Sequence, residues 1–364
     1  MLGLLRQKMA DRQLLLSDAN QRKALASGKP RLGYIGALGD GNLGDEAMFA
    51  AAKRLYPNHE LVTLLSAWRE TELATKGLSG PSFFAGVILG GGTLISPYWL
   101  PAIVNAQQQG CRTWTLGSGI GSSGFGDEAA VGLDGWSECL TQMSGVGIRG
   151  PRSLDTARHL GIGNAEQIGD LAAVLTPDAP QVPRERRKIV VNIAASPSDT
   201  RSPTEIPALA AVVNYLQLAD QFGDEIVGVA MHRTDGGPTR RVLDAAGLEH
   251  ISVQLPTDFA AFAKWVDGAH FTLSVRLHAA ILAANLGIPS ISLGYRDKNL
   301  DFMQSIGQDR WHIPLETASL EETTDAIKAM EADAHGLRAS IHAQMLAYRD
   351  QVTRYATRMV AVSP

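Results

Sequence analysis

Short apolar runs that end in glycine, each followed by a helical pattern, recur along this chain. That alternation constrains the fold more than any other feature. "RLGYIGAL" reads as a buried strand and Asp45–Tyr56 as the helix after it. "ELVTLLSA", "GVILGGG", "CRTWTLGSGIG" and "MSGVGIRG" read as further strands, the last leading into the helix "PRSLDTARHLG". Continuous apolar runs of this length belong to strands covered on both faces, and helices between them are the crossovers of a parallel sheet. The segment Thr176–Lys188, "TPDAPQVPRERRK", breaks the rhythm with prolines and a charge run, as a linker does. The alternation then restarts with "KIVVNIAA", "EIVGVAMH", "HFTLSV" and "IPSISLGY", with helices such as Asp258–Ala269 and Leu277–Leu286 between them. From Ser319 onward the pattern is mostly helical. The expected architecture is α/β, with two Rossmann-like domains facing a cleft. Its parts are an N-terminal amphipathic helix over 1–30, a first domain over 31–178, a second over 188–318, and C-terminal helices over 319–364.

Composition agrees with this and removes several classes of function. The 364 residues give room for two domains, and 45% hydrophobic with 19% charged residues is the balance of a globular protein. A net charge of -4 without a basic block argues against a nucleic-acid surface. Cys111 and Cys139 are too few for a disulfide scaffold and read as buried free thiols. The start, "MLGLLRQKMADRQLLL", lacks the apolar core and cleavage site of a signal peptide. No apolar run approaches the ~20 residues of a membrane span, so the expected location is cytoplasmic. Leu2, Leu5, Met9, Leu14 and Leu15 interleave with Arg6, Lys8 and Arg12 as in a basic amphipathic helix. The plain reading is a helix packed on the protein body. The sharper one is peripheral contact of residues 1–16 with the inner face of an anionic membrane.

In open parallel sheets ligands bind beyond the carboxyl ends of the strands, so the strand-end residues carry the functional argument. The first strand runs into Gly39, Gly41 and Gly44, which spell G-x-G-x-x-G. A dinucleotide site also wants an acid at the end of the second strand. Ser66 and Ala67 stand there, and Glu70 comes late. What remains is a helix N-terminus whose free N–H groups favour an anion or polar ligand. Asp45 and Glu46 complement the helix dipole, or Asn42 and Asp45 face a sugar, with Asp45 as a base. The next strand ends offer Gly91, Gly92 and Thr93, then "LGSGIG" at 116–121. Adjacent glycines cost backbone entropy, which points either to a tight turn or to close approach of a ligand or facing domain.

Cations gather at later strand ends. "GIRGPRS" places Arg149 and Arg152 after the fifth strand. "SVRLHAAILAANLGIPSISLGYRDKN" places Arg276 at a strand end, His278 at a helix start, and Lys298 just beyond the following strand. Arginine offers planar, two-pronged recognition of phosphate or carboxylate. A histidine beside it serves as an anion ligand or general acid. "MHRTD" sets His232 and Asp235 after another strand, where a loop histidine is the ordinary reading. The sequence carries no metal-ligand spacing, no G-x-S-x-G and no Walker A run.

Taken in order, "GALGDGNLGDEAM", "VILGGGTLI", "GIRGPRSLDTARHLG", "IGDLAAVL" and "VRLHAAILAANLGIPSISLGYRDKNLDFMQSIG" resemble the motifs of the polysaccharide pyruvyl transferases. The resemblance runs from about Leu32 to Gly307. It departs at Gly150–Pro151, where the family often has an acidic pair, and in the missing proline after Asp170. The resemblance implies a fold like that of GT-B glycosyltransferases. It implies transfer of pyruvate from phosphoenolpyruvate onto two hydroxyls of a sugar as a cyclic ketal, with phosphate released and no further cofactor. The family's functional cations fall on Arg149, Arg276 and Lys298, with His278 completing the donor site. His278, Arg276 and Asp45 are the expected catalytic residues, with His232 the other candidate base. Asn42, Asp45, Gly91, Gly92 and Thr93 are expected on the acceptor side. The implied acceptor is a polysaccharide repeat unit or its lipid-linked precursor. A nucleotide-sugar glycosyltransferase of the same architecture, or a non-catalytic sugar- or nucleotide-binding scaffold, would use the same strand ends differently.

Overall fold

The computed structural model describes residues 26–64, 80–121, 133–194 and 202–361. The membrane contact expected for residues 1–16, all but the end of the helix expected over 1–30, and Ser66, Ala67 and Glu70 lie outside them. The chain divides into two compact units. One comprises Met1–Asp40, Asp45–Val174 and Tyr348–Pro364, the other Gly41–Gly44 and Leu175–Ala347.

The first unit runs β1 (Arg31–Ile35), α1 (Leu43–Leu55, whose first two residues group with the second unit), β2 (Glu60–Leu64), β3 (Gly86–Leu89), β4 (Gly92–Ile95), α2 (Leu100–Gln108), β5 (Thr113–Ile120), α3 (Trp136–Thr141), β6 (Gly145–Ile148), α4 (Pro151–His159) and β7 (Ala165–Gln167). Its seven-stranded sheet has the order β2-β1-β3-β5-β6-β7, with β4 also paired to β5. Every pairing is parallel. The central strands are buried except for half-buried Ile120 at the end of β5, which is why they read as continuous apolar runs. Ile35, Val87, Leu89, Ile103, Trp136, Leu140 and Ile148 lie in one core cluster.

The second unit continues with β8 (Lys188–Asn192), α5 (Pro207–Gln221), β9 (Glu225–Val229), α6 (Gly236–Ala245), β10 (Val253–Gln254), α7 (Phe259–Trp265), β11 (Phe271–Ser274), α8 (Leu277–Asn285), β12 (Ser290–Gly294), α9 (Asp297–Ser305), β13 (His312–Pro314) and α10 (Leu320–Ala361), whose end from Tyr348 groups with the first unit. Its six-stranded sheet has the order β10-β9-β8-β11-β12-β13 and is again all parallel. Two Rossmann-like α/β units are what the alternation predicts. The sequence reading does not anticipate β4, β7, β10 and β13, the short strands. Two to four residues each are too few to show a period. β4 exists because Gly92 takes a φ of 101°, which lets the chain turn after β3 and resume beside β5.

The proline-rich segment is fastened to the second unit. Thr176 Oγ1 donates to Asn285 Oδ1 at 3.1 Å, and the Gln181 N–H donates to the Leu286 carbonyl at 2.9 Å. From α10, buried Arg338 donates to the carbonyls of Gln181 and Ala269 at 2.7 and 2.9 Å. α10 begins on a reciprocal cap, with the Ser319 N–H donating to Glu322 Oε2 and the Glu322 N–H to Ser319 Oγ. No described helix is long and apolar enough to cross a membrane.

His270 precedes β11, and its Nδ1 accepts the Lys188 N–H at 3.2 Å, which requires that nitrogen to be unprotonated. Burial first, then the Arg338 and Arg187 charges, hold the imidazole below its ordinary value. Between the lowered folded value and the ordinary one near 6.5, the native state binds fewer protons than the unfolded chain. Stability is therefore full above that window and is lost as pH falls through it. The melting temperature is expected to drop on acidification through this range, and His270→Gln to flatten the drop. Equal slopes for the two proteins would exclude His270 as the source.

Candidate active site

In each sheet the strand order reverses once, between β1 and β3 and between β8 and β11. Such switch points leave a crevice at the carboxyl ends of the strands, where open α/β sheets bind ligands. The candidate residues fall at these ends.

At the first unit's edge, the loop after β1 is shaped by Gly39 and Gly41, with φ of 85° and 79°. The Gly39 N–H donates to Glu46 Oε1 at 2.9 Å, so the first turn of α1 closes the loop. After β3, Gly90 lies on the Tyr34 ring and Gly91 on Met48. A Cβ at these positions would stand 2.3 Å from Tyr34 Oη and 2.4 Å from Met48 Sδ. The sequence pointed to a tight turn or to a ligand or facing domain here; the groups that approach these two glycines are the unit's own Tyr34 and Met48. Asp45 Oδ1 lies 3.7 Å from where a Cβ on Gly92 would be. Burial, with the Asp45 charge, pushes the Tyr34 phenol up, and its hydroxyl bonds the Gly91 backbone. The Thr93 hydroxyl is buried and has no hydrogen-bond partner among the described residues.

Arg149 follows β6 and is 1% exposed. Its guanidinium fills the space that Gly119 leaves, 2.5 Å from where a Cβ there would stand. Asp170, after β7, is also buried. Burial pushes its carboxyl up, while the Arg149 charge and the Ala172 N–H pull it back down. The cation read from the sequence as a ligand for a donor anion therefore sits enclosed beside a carboxylate.

At the second unit's edge, Arg276 stands between β11 and α8, at the switch point. Its N–H donates to Asn192 Oδ1 at 3.1 Å, from the end of β8. Its guanidinium grips Asp235, beyond β9. Nε reaches Oδ1 and Oδ2 at 3.0 and 3.1 Å, and Nη2 reaches Oδ1 at 2.8 Å. Asp235 is fully buried, and its Oδ2 also accepts the N–H groups of Met231 and His232, both at 3.2 Å. The Arg276 side chain keeps 23% exposure. His232 Nδ1 pairs with the Thr234 hydroxyl at 2.7 Å.

His278 is the second residue of α8, partly exposed. Gly41–Gly44 groups with this unit. The Leu43 N–H donates to the Met231 carbonyl at 2.8 Å, and Gly44 meets the His278 ring. A Cβ at position 44 would stand 2.2 Å from His278 Cγ. Asn42 Oδ1 accepts the Gly44 N–H at 3.2 Å, the contact of a helix cap. Lys298 is the second residue of α9, just past β12, and partly exposed. The second unit thus gathers Arg276, His278 and Lys298 at adjoining strand ends, with His232 next to the Asp235 anchor. Asp45, Gly91, Gly92, Thr93 and Arg149 belong to the first unit. The sequence reading did not single out Asn192 or assign Asp235 to Arg276. A strand ending in Asn, as "KIVVN" does, was the available signal.

The fold, two Rossmann-like units, is shared with solved structures of the GT-B kind. MnaA of S. aureus, solved with UDP, superposes with a TM-score of 0.57 at 12% identity, covering 86% of this chain and 91% of that one. UDP-GlcNAc 2-epimerase from Neisseria meningitidis gives 0.57 at 8% identity, over 92% of this chain and 100% of that one. An O-GlcNAc transferase mutant from Thermobaculum terrenum gives 0.50 at 12%, over 91% and 68%. At such identities these likenesses establish the fold alone. No curated protein sequence matches the chain. Residues 42–297 match the sequence profile described as polysaccharide pyruvyl transferase. The chain belongs to the polysaccharide pyruvyl transferase family.

Proposed function

We propose that this protein moves pyruvate from phosphoenolpyruvate onto two hydroxyls of one sugar, forming a cyclic ketal and releasing phosphate. The observation that carries the reading is family membership across 42–297, a span that includes Arg276 and His278 at the second sheet's switch point. Phosphoenolpyruvate carries a phosphate and a carboxylate, so its site needs fixed cations. Arg276 and Lys298 supply them from adjoining strand ends, and His278 starts the helix between.

The reaction balances in two steps. One sugar oxygen adds to C2 of phosphoenolpyruvate while C3 takes a proton and becomes a methyl group. The second sugar oxygen then displaces phosphate at C2, and its proton leaves with the phosphate. His278 is proposed as the acid that supplies the C3 proton and as a contact to the phosphate. Asp45 is proposed as the base for the first hydroxyl. Positive groups aimed at the charge growing on the departing phosphate are the main source of rate enhancement. Asn42, Asp45, Gly91, Gly92 and Thr93 are proposed to face the acceptor. The acceptor is proposed as a polysaccharide unit or its lipid-linked precursor, met at the inner face of the cell membrane.

The fold shared with structures solved with UDP or UDP-GlcNAc favours a second reading, glycosyl transfer from a nucleotide sugar. Mass spectrometry separates the two. Acceptor sugars incubated with enzyme and phosphoenolpyruvate are expected to gain one pyruvyl ketal, with phosphate released in equal amount. Gain of a hexose from a nucleotide sugar, with no ketal, would replace the first reading by the second.

A further inference from the structure

We infer that Asp235 is a positioning residue for the donor's phosphoryl group, acting through Arg276. This deepens the proposed function and rests on its placing a phosphate-bearing donor at this edge. Asp235 is 0% exposed while the Arg276 side chain keeps 23%, so the carboxylate is the fixed end of the pair and the guanidinium the accessible end. Asp235 takes the Nε–Nη2 edge of the guanidinium from behind. That grip sets the plane of the group, because a planar fork bound along one edge loses its rotational freedom.

The anchor is itself held. Met231 and His232 donate their N–H groups to Asp235 Oδ2, which ties the carboxylate to the end of β9. The Arg276 backbone is tied separately to Asn192 at the end of β8, and Asn192 Nδ2 donates to the Val229 carbonyl at 2.9 Å. Three strand ends at one switch point are thus locked around a single arginine. A surface arginine recruited for charge alone needs none of this. A carboxylate behind the guanidinium lowers its net charge, so the arrangement sacrifices attraction and gains direction.

Removing one partner of a buried ion pair also destabilises a fold, so the test must separate positioning from stability. Inorganic phosphate serves as the probe, with its affinity measured by calorimetry on the full chain. Asp235→Asn keeps the shape and removes the charge. It is expected to weaken phosphate binding about tenfold, within the range that misplacing a reacting group produces. Arg276→Gln should weaken it at least as much. The double variant should bind no more weakly than Arg276→Gln, because Asp235 acts only through Arg276. Arg276→Lys keeps the charge without the planar fork, leaves no uncompensated carboxylate, and should also lose about tenfold on the same grounds. Thr176→Val, which breaks the buried Thr176–Asn285 bond, should lower the melting temperature and leave phosphate affinity unchanged.

Unchanged affinity in Asp235→Asn, a loss that adds to that of Arg276→Gln, full affinity in Arg276→Lys, or no phosphate binding by the wild-type protein would each overturn the inference. Should Asp235→Asn not fold, Arg276→Lys decides. Pyruvate transfer by the wild-type protein is assayed separately. Its absence alongside the phosphate pattern above would refute the proposed donor and leave the role of Asp235 standing.

Discussion

His278→Ala is expected to lower turnover by about 10²–10⁴-fold, the usual contribution of a positioned general acid, while the protein stays folded. The imidazole sits in the first turn of α8, beside Arg276 in sequence and at the same strand end. It is only partly exposed and its Nε2 is buried, so the melting temperature must be read beside the rate. The proposed reaction needs a proton delivered to C3 while the first sugar oxygen adds to C2, and histidine is the side chain suited to that near neutral pH. The check is the rate of phosphate release from phosphoenolpyruvate with acceptor present, alongside the melting temperature. A wild-type rate would remove His278 from the mechanism. A rate lost together with the fold would make it structural.

Gly44→Ala is expected to cost about 10²-fold in turnover, the scale of a displacement of about 1 Å at a reacting group. Residue 44 lies in the first turn of α1 and has no left-handed φ. Helix propensity alone would make alanine the better residue there by about 1 kcal/mol. The contact with His278 reverses that preference. A methyl group at 44 would stand 2.2 Å from His278 Cγ and 2.6 Å from its Cβ, so the imidazole must leave its place. The double variant Gly44→Ala/His278→Ala should be no slower than His278→Ala, since the damage passes through the ring. A Gly44→Ala enzyme at full rate, or a double variant slower than either single one, would contradict this.

The same glycine shows how much of the site was legible in the chain. G-x-G-x-x-G at 39–44 suggested an anion-binding turn. Gly39 and Gly41 do occupy backbone conformations that favour glycine. The third glycine has another reason, a histidine more than two hundred residues on. Likewise the run after β3 read as a tight turn or as the close approach of a ligand or facing domain. That Tyr34 and Met48 make the approach was not legible, because nothing local in "LGGGT" names its neighbours. Arg149 was legible as a cation at a strand end. Its enclosure beside Asp170 depends on how β6 and β7 lie in the sheet.

What the sequence determined by itself was the alternation that makes two parallel sheets, and the residues that stand at their carboxyl ends. Both are local properties, set by the apolar period and by where each run stops. Family membership was legible too, in motifs whose order survives along the chain. The tertiary structure alone decided which strand ends meet. Arg276 and Asp235 are 41 residues apart, and Arg276 and Asn192 are 84 apart. They touch because β8 lies between β9 and β11 in the second sheet. Strand order is fixed by how the crossover helices pack, and no periodicity along the chain records it. Arginine at a strand end was therefore readable from the sequence, and the direction in which it is held was not.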